Sequence, residues 1–183
     1  MNILIITLIV LAILIVLFMI LALFARNDFT VQRTITINKP KQDVFEFIRF
    51  LENHRVFSKW TTKESNKVKP GTGTDGHPGF VLAWDNFKEK AGIGELEIKK
   101  ITNGSGINIE HRYIKPLKGL ANTYMTVDDS TSNQTELKWV YSGVSAYPIN
   151  LLTSILNMDD IVGRDLENCL TKLKTELENC QNS

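Results

Sequence analysis

The sequence predicts an α+β domain carried behind a single apolar helix, and three observations predict it. Between Thr30 and Tyr141 short runs alternate apolar and polar residues, the period-two pattern of half-buried antiparallel strands. From Asn150 to Glu178 apolar residues recur instead every three or four positions, drawing one stripe down an α-helix. Ahead of both lies an unbroken apolar run. One long helix laid across a curved antiparallel sheet, with two short helices after the first strand, makes a receptacle between two layers.

The apolar run, Ile3 to Phe24, has 22 residues with only Thr7 polar and no charge. As a helix it measures roughly 33 Å, which matches a bilayer core. A cleaved signal peptide would want a basic start and a small-residue cleavage site, whereas Met1-Asn2 carries no side-chain charge and Leu23-Phe24-Ala25 is a poor site. Arg26, Arg33, Lys39 and Lys41 all follow the run and none precedes it, so the positive-inside rule puts the domain in the cytoplasm. The chain divides into an anchor (1–25), a short linker (26–28), one domain (29–180) and a tail (181–183). So short a linker keeps the domain at the membrane surface.

In the first strand Phe29, Val31, Ile35 and Ile37 share one face and Thr30, Gln32, Thr34 and Thr36 the other. Arg33 falls on the apolar face, as a ligand-facing guanidinium or as an arginine that pairs with a carboxylate. Asn38-Lys-Pro40 breaks the strand and opens a helix with Val44, Phe45, Phe47, Ile48 and Leu51 on its apolar side. Asn53 to Trp60 reads as a second short helix. The polar stretch from Thr61 to Gly79 contains Gly71-Thr-Gly-Thr-Asp-Gly76, which spells G-x-G-x-x-G. It lacks the preceding buried strand and following helix of a dinucleotide site, so a flexible loop over a cavity mouth is expected.

Phe80 to Trp84, Gly94 to Ile98, Ile107 to Tyr113, Thr123 to Val127 and Leu137 to Tyr141 are the remaining strands, punctuated by Asn103-Gly-Ser-Gly106 and by Asp128 to Asn133. The last helix carries Leu152, Ile155, Leu156, Val162, Leu166, Cys169, Leu170, Leu173 and Leu177 on its stripe.

Composition narrows the function. Twenty-one basic and 20 acidic side chains nearly cancel, and no Lys/Arg block stands out, so nucleic acid is not an expected partner. Cys169 and Cys180 lie too far apart on one helix to pair, Cys169 as a core residue and Cys180 as an exposed tail thiol. His54, His77 and His111 have no metal-ligand spacing with the cysteines, no nucleophile motif appears, and no cofactor is expected.

Val31-Gln-Arg-Thr-Ile-Thr-Ile37 with Asn38-Lys-Pro40 and Asp43-Val-Phe45, then Phe57-Ser-Lys-Trp60, Ile114-Lys-Pro116 and Met158-Asp-Asp-Ile-Val-Gly-Arg-Asp165 resemble the SRPBCC or START-like superfamily. The likeness covers Phe29 to Leu177 and is nearest to bacterial polyketide cyclase/dehydrase-like proteins. It implies a helix-grip fold and an apolar ligand, a lipid, sterol or polyketide, between sheet and helix. Some members close rings, and one fold hosts many functions.

On this reading the cavity wall is Leu82, Trp84, Ile109, His111, Tyr113, Met125, Trp139 and Tyr141, with Trp60 near the mouth. His111 faces inward as a possible base or ligand partner, or as a satisfied core histidine. Asp159 falls on the helix stripe, where a carboxylate needs His111, Arg33 or a ligand hydroxyl, unless it lies at the stripe's exposed edge. Gly163, costly in mid-helix, implies close approach of a ligand or of the sheet. The expected function is membrane-anchored binding of an apolar small molecule. The alternatives are a cyclase-type enzyme using His111 and Asp159 as acid and base, and an interaction module with a filled core. In the last, Ile149, Leu151, Leu152, Ile155, Leu156 and Met158 dock a protein partner or touch the bilayer.

Overall fold

A computed structural model describes residues 2–61, 70–86, 92–131 and 133–179. The elements follow in the order α1 (Ile3–Phe24), β1 (Asp28–Ile37), α2 (Lys41–Arg49), α3 (His54–Phe57), β2 (Val81–Asn86), β3 (Gly92–Thr102), β4 (Gly106–Lys115), β5 (Gly119–Thr131), β6 (Gln134–Val144), α4 (Asn150–Ile155) and α5 (Met158–Asn179). α1 is long and apolar enough to cross a membrane.

The six strands form one antiparallel sheet in the order β1-β6-β5-β4-β3-β2. β2 to β6 form a meander, and β1 closes the far edge against β6. Alternation sends Val31, Leu82, Leu96, Ile98, Ile107, Ile109, Met125, Val127, Leu137 and Trp139 into one core, all under a tenth exposed. α5 covers that face with Val162, Leu166, Cys169, Leu170, Leu173 and Leu177. Its far end is tied to β1, where Lys174 Nζ donates to the Thr36 carbonyl and the Asn38 amide donates to Glu178. A curved antiparallel sheet around a long C-terminal helix is the helix-grip fold.

The predicted continuous helix from Asn150 to Glu178 is two helices. Leu156 takes an extended backbone, φ −70° and ψ 136°, and Asn157 caps α5 by accepting from the Asp160 amide and donating to its carboxylate. Leu152, Ile155 and Leu156 therefore leave the stripe and lie exposed. The second short helix is one turn, His54–Phe57.

The expected loop over a cavity mouth falls partly on residues 62–69, outside the described residues, as does Cys180. Its visible part is tied down. Thr72 bridges Val81, and Asp75 accepts the amides of Leu51 and Glu52.

Candidate ligand chamber and its charged rim

His111 lies in a row of inward residues that crosses the whole sheet: Phe29, Gly143, Ala121, His111, Leu96 and Leu82. Ala121 beside the imidazole and Gly143 one strand further leave room for large rings above the sheet. Phe29 takes the space over Gly143, whose added Cβ would come within 2.5 Å of that ring. Gly94 plays the same part for Trp84, since a Cβ there would lie 2.5 Å from the indole.

The rings meet over His111. Trp60 stacks on Tyr141 at 5.7 Å between centroids and stands edge-on to His111 at 5.6 Å. Tyr141 stands edge-on to His111 at 5.4 Å and Trp84 to Tyr113 at 5.4 Å. The Tyr113 and Tyr141 hydroxyls are 2.6 Å apart. Leu82, Ile109 and Met125 are fully buried behind them. Phe57 of α3, not among the expected wall residues, stands edge-on to Trp139 at 6.1 Å.

The polar groups inside are few and unequal. Trp139 Nε1 donates to Thr123 Oγ1 at 3.3 Å, and His111 Nε2 lies 2.9 Å from the same oxygen. Thr123 faces inward by the same alternation as Met125. His111 Nδ1 is buried with no hydrogen-bond partner among the described residues. Whichever tautomer Thr123 selects, one ring nitrogen points unpaired into an aromatic enclosure.

Burial holds the His111 pKa down to about 3, with His54 a lesser cause. At neutral pH the imidazole is uncharged and offers one hydrogen bond rather than a cation. Burial raises the Tyr113 hydroxyl to about 12 and the Tyr141 hydroxyl well above its ordinary value, so the aromatic cluster stays neutral. His54, beneath α2, is held down to about 4 by burial although its Nε2 meets the Ile48 carbonyl at 2.7 Å.

Asp159 lies elsewhere. It sits in the first turn of α5 with its side chain 61 % exposed, and both carboxylate oxygens accept from Arg33, at 2.9 and 3.0 Å. Arg33 Nε reaches Glu167, and its remaining N–H groups reach the carbonyls of Gln32 and Asp159. All five guanidinium N–H groups are thus occupied. The paired carboxylates raise the Arg33 pKa, and the guanidinium lowers that of Asp159. Gly163 exists for this arginine: an added Cβ would lie 2.0 Å from Arg33 Nη2. The close approach expected at Gly163 is thus made by the sheet, through the Arg33 side chain of β1.

Beside this rim a cleft of about 450 Å³ opens between the start of β1 and the α4–α5 junction. Phe29 and Val31 line it from the strand, Leu156 and Met158 from the helices, and Arg26 from the end of α1. Phe29 also leans on Tyr141 at 6.2 Å, joining the cleft wall to the aromatic cluster. Among the described residues no group of His, Cys, Asp and Glu is placed to hold a metal.

No protein-family model matches the sequence, and no curated protein matches it. Solved structures share its fold. Truncated norcoclaurine synthase from Thalictrum flavum superposes with a TM-score of 0.62 at 9 % identity, over 84 % of this chain and 95 % of that one. The same enzyme in complex with dopamine and hydroxybenzaldehyde gives 0.60 at 9 % identity, over 90 % and 94 %. A protein from Chromobacterium violaceum gives 0.57 at 15 % identity, over 81 % and 96 %.

Proposed function

We propose that this protein is a membrane-tethered receptacle for an apolar small molecule of the lipid, sterol-like or polyketide-like class. The ligand is neutral and carries a hydroxyl or carbonyl that pairs with His111. The observation that carries this reading is the unpaired Nδ1 of His111 among Trp60, Trp84, Tyr113 and Tyr141. A buried polar atom without a partner costs about 1–3 kcal/mol, which a ligand oxygen recovers. A planar or aliphatic ligand takes the place of Trp60 against Tyr141, exchanging one apolar contact for another. That norcoclaurine synthase holds two aromatic molecules in the same fold supports the reading. In this reading α1 is the tether, and the basic residues after it support a cytoplasmic domain.

The cyclase alternative needs His111 and Asp159 at one substrate. Asp159 is committed to Arg33 outside the chamber, so that pairing is not proposed. The ring contacts of Trp60 favour a second reading, a core filled by its own side chains.

The three tryptophans of the chain, Trp60, Trp84 and Trp139, are all buried on the inner face of the sheet, so tryptophan fluorescence, excited apart from the tyrosines, reports on that region. The delipidated full chain in nanodiscs is titrated with a fatty alcohol, a sterol and a hydroxylated polycyclic aromatic. The expected result is a saturable change with one of them, at least about tenfold weaker in His111→Leu. No saturable change with any probe overturns the receptacle and leaves the filled core.

A further inference from the structure

The end of α1 is not left to solvent. Asn150 Nδ2 donates to the carbonyls of Ala22 at 2.8 Å and Ala25 at 3.0 Å, Ser154 Oγ to that of Arg26 at 2.9 Å, and the Ser145 amide to that of Asn27 at 2.7 Å. The Tyr147 hydroxyl donates to the Met19 carbonyl at 3.3 Å. Asn150 and Ala22 are buried by this contact. Helix C-termini leave their last carbonyls without partners, which is costly near hydrocarbon. Here one short segment of the domain supplies the donors.

These bonds fix depth. If α1 spans the bilayer, its roughly 33 Å fill a hydrocarbon core of about 30 Å, and Phe24 marks the boundary. Ala22 then lies about 3 Å and Met19 about 7.5 Å inside the end of the helix. Side chains bonded to those carbonyls lie at the boundary themselves. The segment that carries them suits that place: from Val144 to Met158 it has no charged residue. Its exposed side chains include Val144, Tyr147, Leu152, Ile155 and Leu156, with Ile155 at 72 %. Arg26, at the same level, is 80 % exposed and meets Asp28 at 3.4 Å with one terminal nitrogen, a solvent-side cation suited to lipid phosphate.

We propose that α4 and its flanks form a second membrane contact, lying in the bilayer interface, so that the domain is docked on the lipid surface in one orientation rather than swinging from a linker. This rests on reading α1 as the membrane anchor. The occupant of the apolar face is the bilayer itself, because the face is continuous with the helix that enters it. The cleft between β1 and α4 then opens at the level of the lipid headgroups.

The test uses the full chain in phosphatidylcholine–phosphatidylglycerol vesicles, in a Cys180→Ser background, since Cys169 is buried. An environment-sensitive fluorophore is placed in turn on Leu11→Cys, Ile155→Cys and Ser105→Cys, the last in the distant β3–β4 turn. Quenching is read from spin-labelled lipids and from aqueous iodide. Docking predicts that the label at 155 is quenched by shallow spin-labelled lipid several-fold more than the label at 105, and is shielded from iodide, while the label at 11 responds to deep spin-labelled lipid. A label at 155 that behaves like that at 105, with 11 still in lipid, overturns the docking and leaves the anchor. Shielding of 155 from both quenchers means a protein or a second copy covers the face, which also overturns it. A label at 11 that lipid does not quench overturns the anchor and the docking together.

Discussion

Two polar groups that the sequence places on apolar faces have opposite fates. Arg33 on β1 has an acceptor for each of its five N–H groups, supplied by Asp159, Glu167 and two carbonyls. His111 on β4 has one partner, Thr123, and a second ring nitrogen with none. A fully satisfied charge at the rim has nothing left to offer a ligand. A half-satisfied neutral ring in an aromatic enclosure does. Polarity on an apolar face is thus no guide to function until its hydrogen bonds are counted.

The comparison can be broken most severely from the inside. Trp139 is 2 % exposed, and Trp139→Ala removes a ring that Phe57, Trp60 and the Thr123 hydroxyl all meet. The expected loss is about 3–5 kcal/mol in denaturant unfolding of the full chain. No exposed substitution at the rim should approach it.

Acid separates the two regions next. His54 and His111 have folded pKa values of about 4 and about 3, below the ordinary 6.5. The unfolded chain therefore binds protons that the native chain refuses as pH falls below 6.5. Stability declines by about 1.4 kcal/mol per pH unit for each histidine until its folded value is reached. His111→Leu should remove half of that slope while leaving stability at pH 7 within about 1 kcal/mol, since it loses the Thr123 bond and the unpaired nitrogen together. Asp159 works in a lower window. Its pKa is depressed by Arg33, so its contribution is present above the ordinary 3.8 and fades only below it. A stability curve flat from pH 6.5 to 4 would contradict the assignment of both histidines to the neutral interior.

Gly163 gives a smaller and sharper effect. In an Arg33→Ala background Gly163→Ala should stabilise α5 by about 1 kcal/mol, the ordinary helix preference for alanine. With Arg33 present, the new methyl meets the guanidinium, and the gain should shrink or reverse. Equal effects in the two backgrounds, measured as a double-mutant cycle, would show that the glycine does not serve the arginine. The smallest change is expected from Asp159→Asn, which should destabilise slightly, lose its effect in high salt, and leave the tryptophan response to ligand untouched.

Alternation and helical spacing made the fold readable, because the sheet has one buried face and α5 one buried stripe. The same rules aimed His111, Tyr113 and Tyr141 correctly into the interior. What they missed depends on contacts between elements. Asn157 followed by Asp160 was a helix start inside an apparently continuous stripe, masked by the apolar residues on both sides. Arg33, Asp159 and Gly163 form one unit because β1 and α5 cross there, which no local pattern encodes. Asn150 was an unremarked polar residue in an apolar run, and its role shows only once α1 lies beside it.

The most direct measurement is native mass spectrometry of the full chain, isolated from its own membrane in nanodiscs and ejected under gentle activation. The account predicts a bound neutral molecule of defined mass on the wild-type chain, strongly depleted in His111→Leu and retained by Asp159→Asn. A bare wild-type chain that also gives no saturable tryptophan response would contradict it.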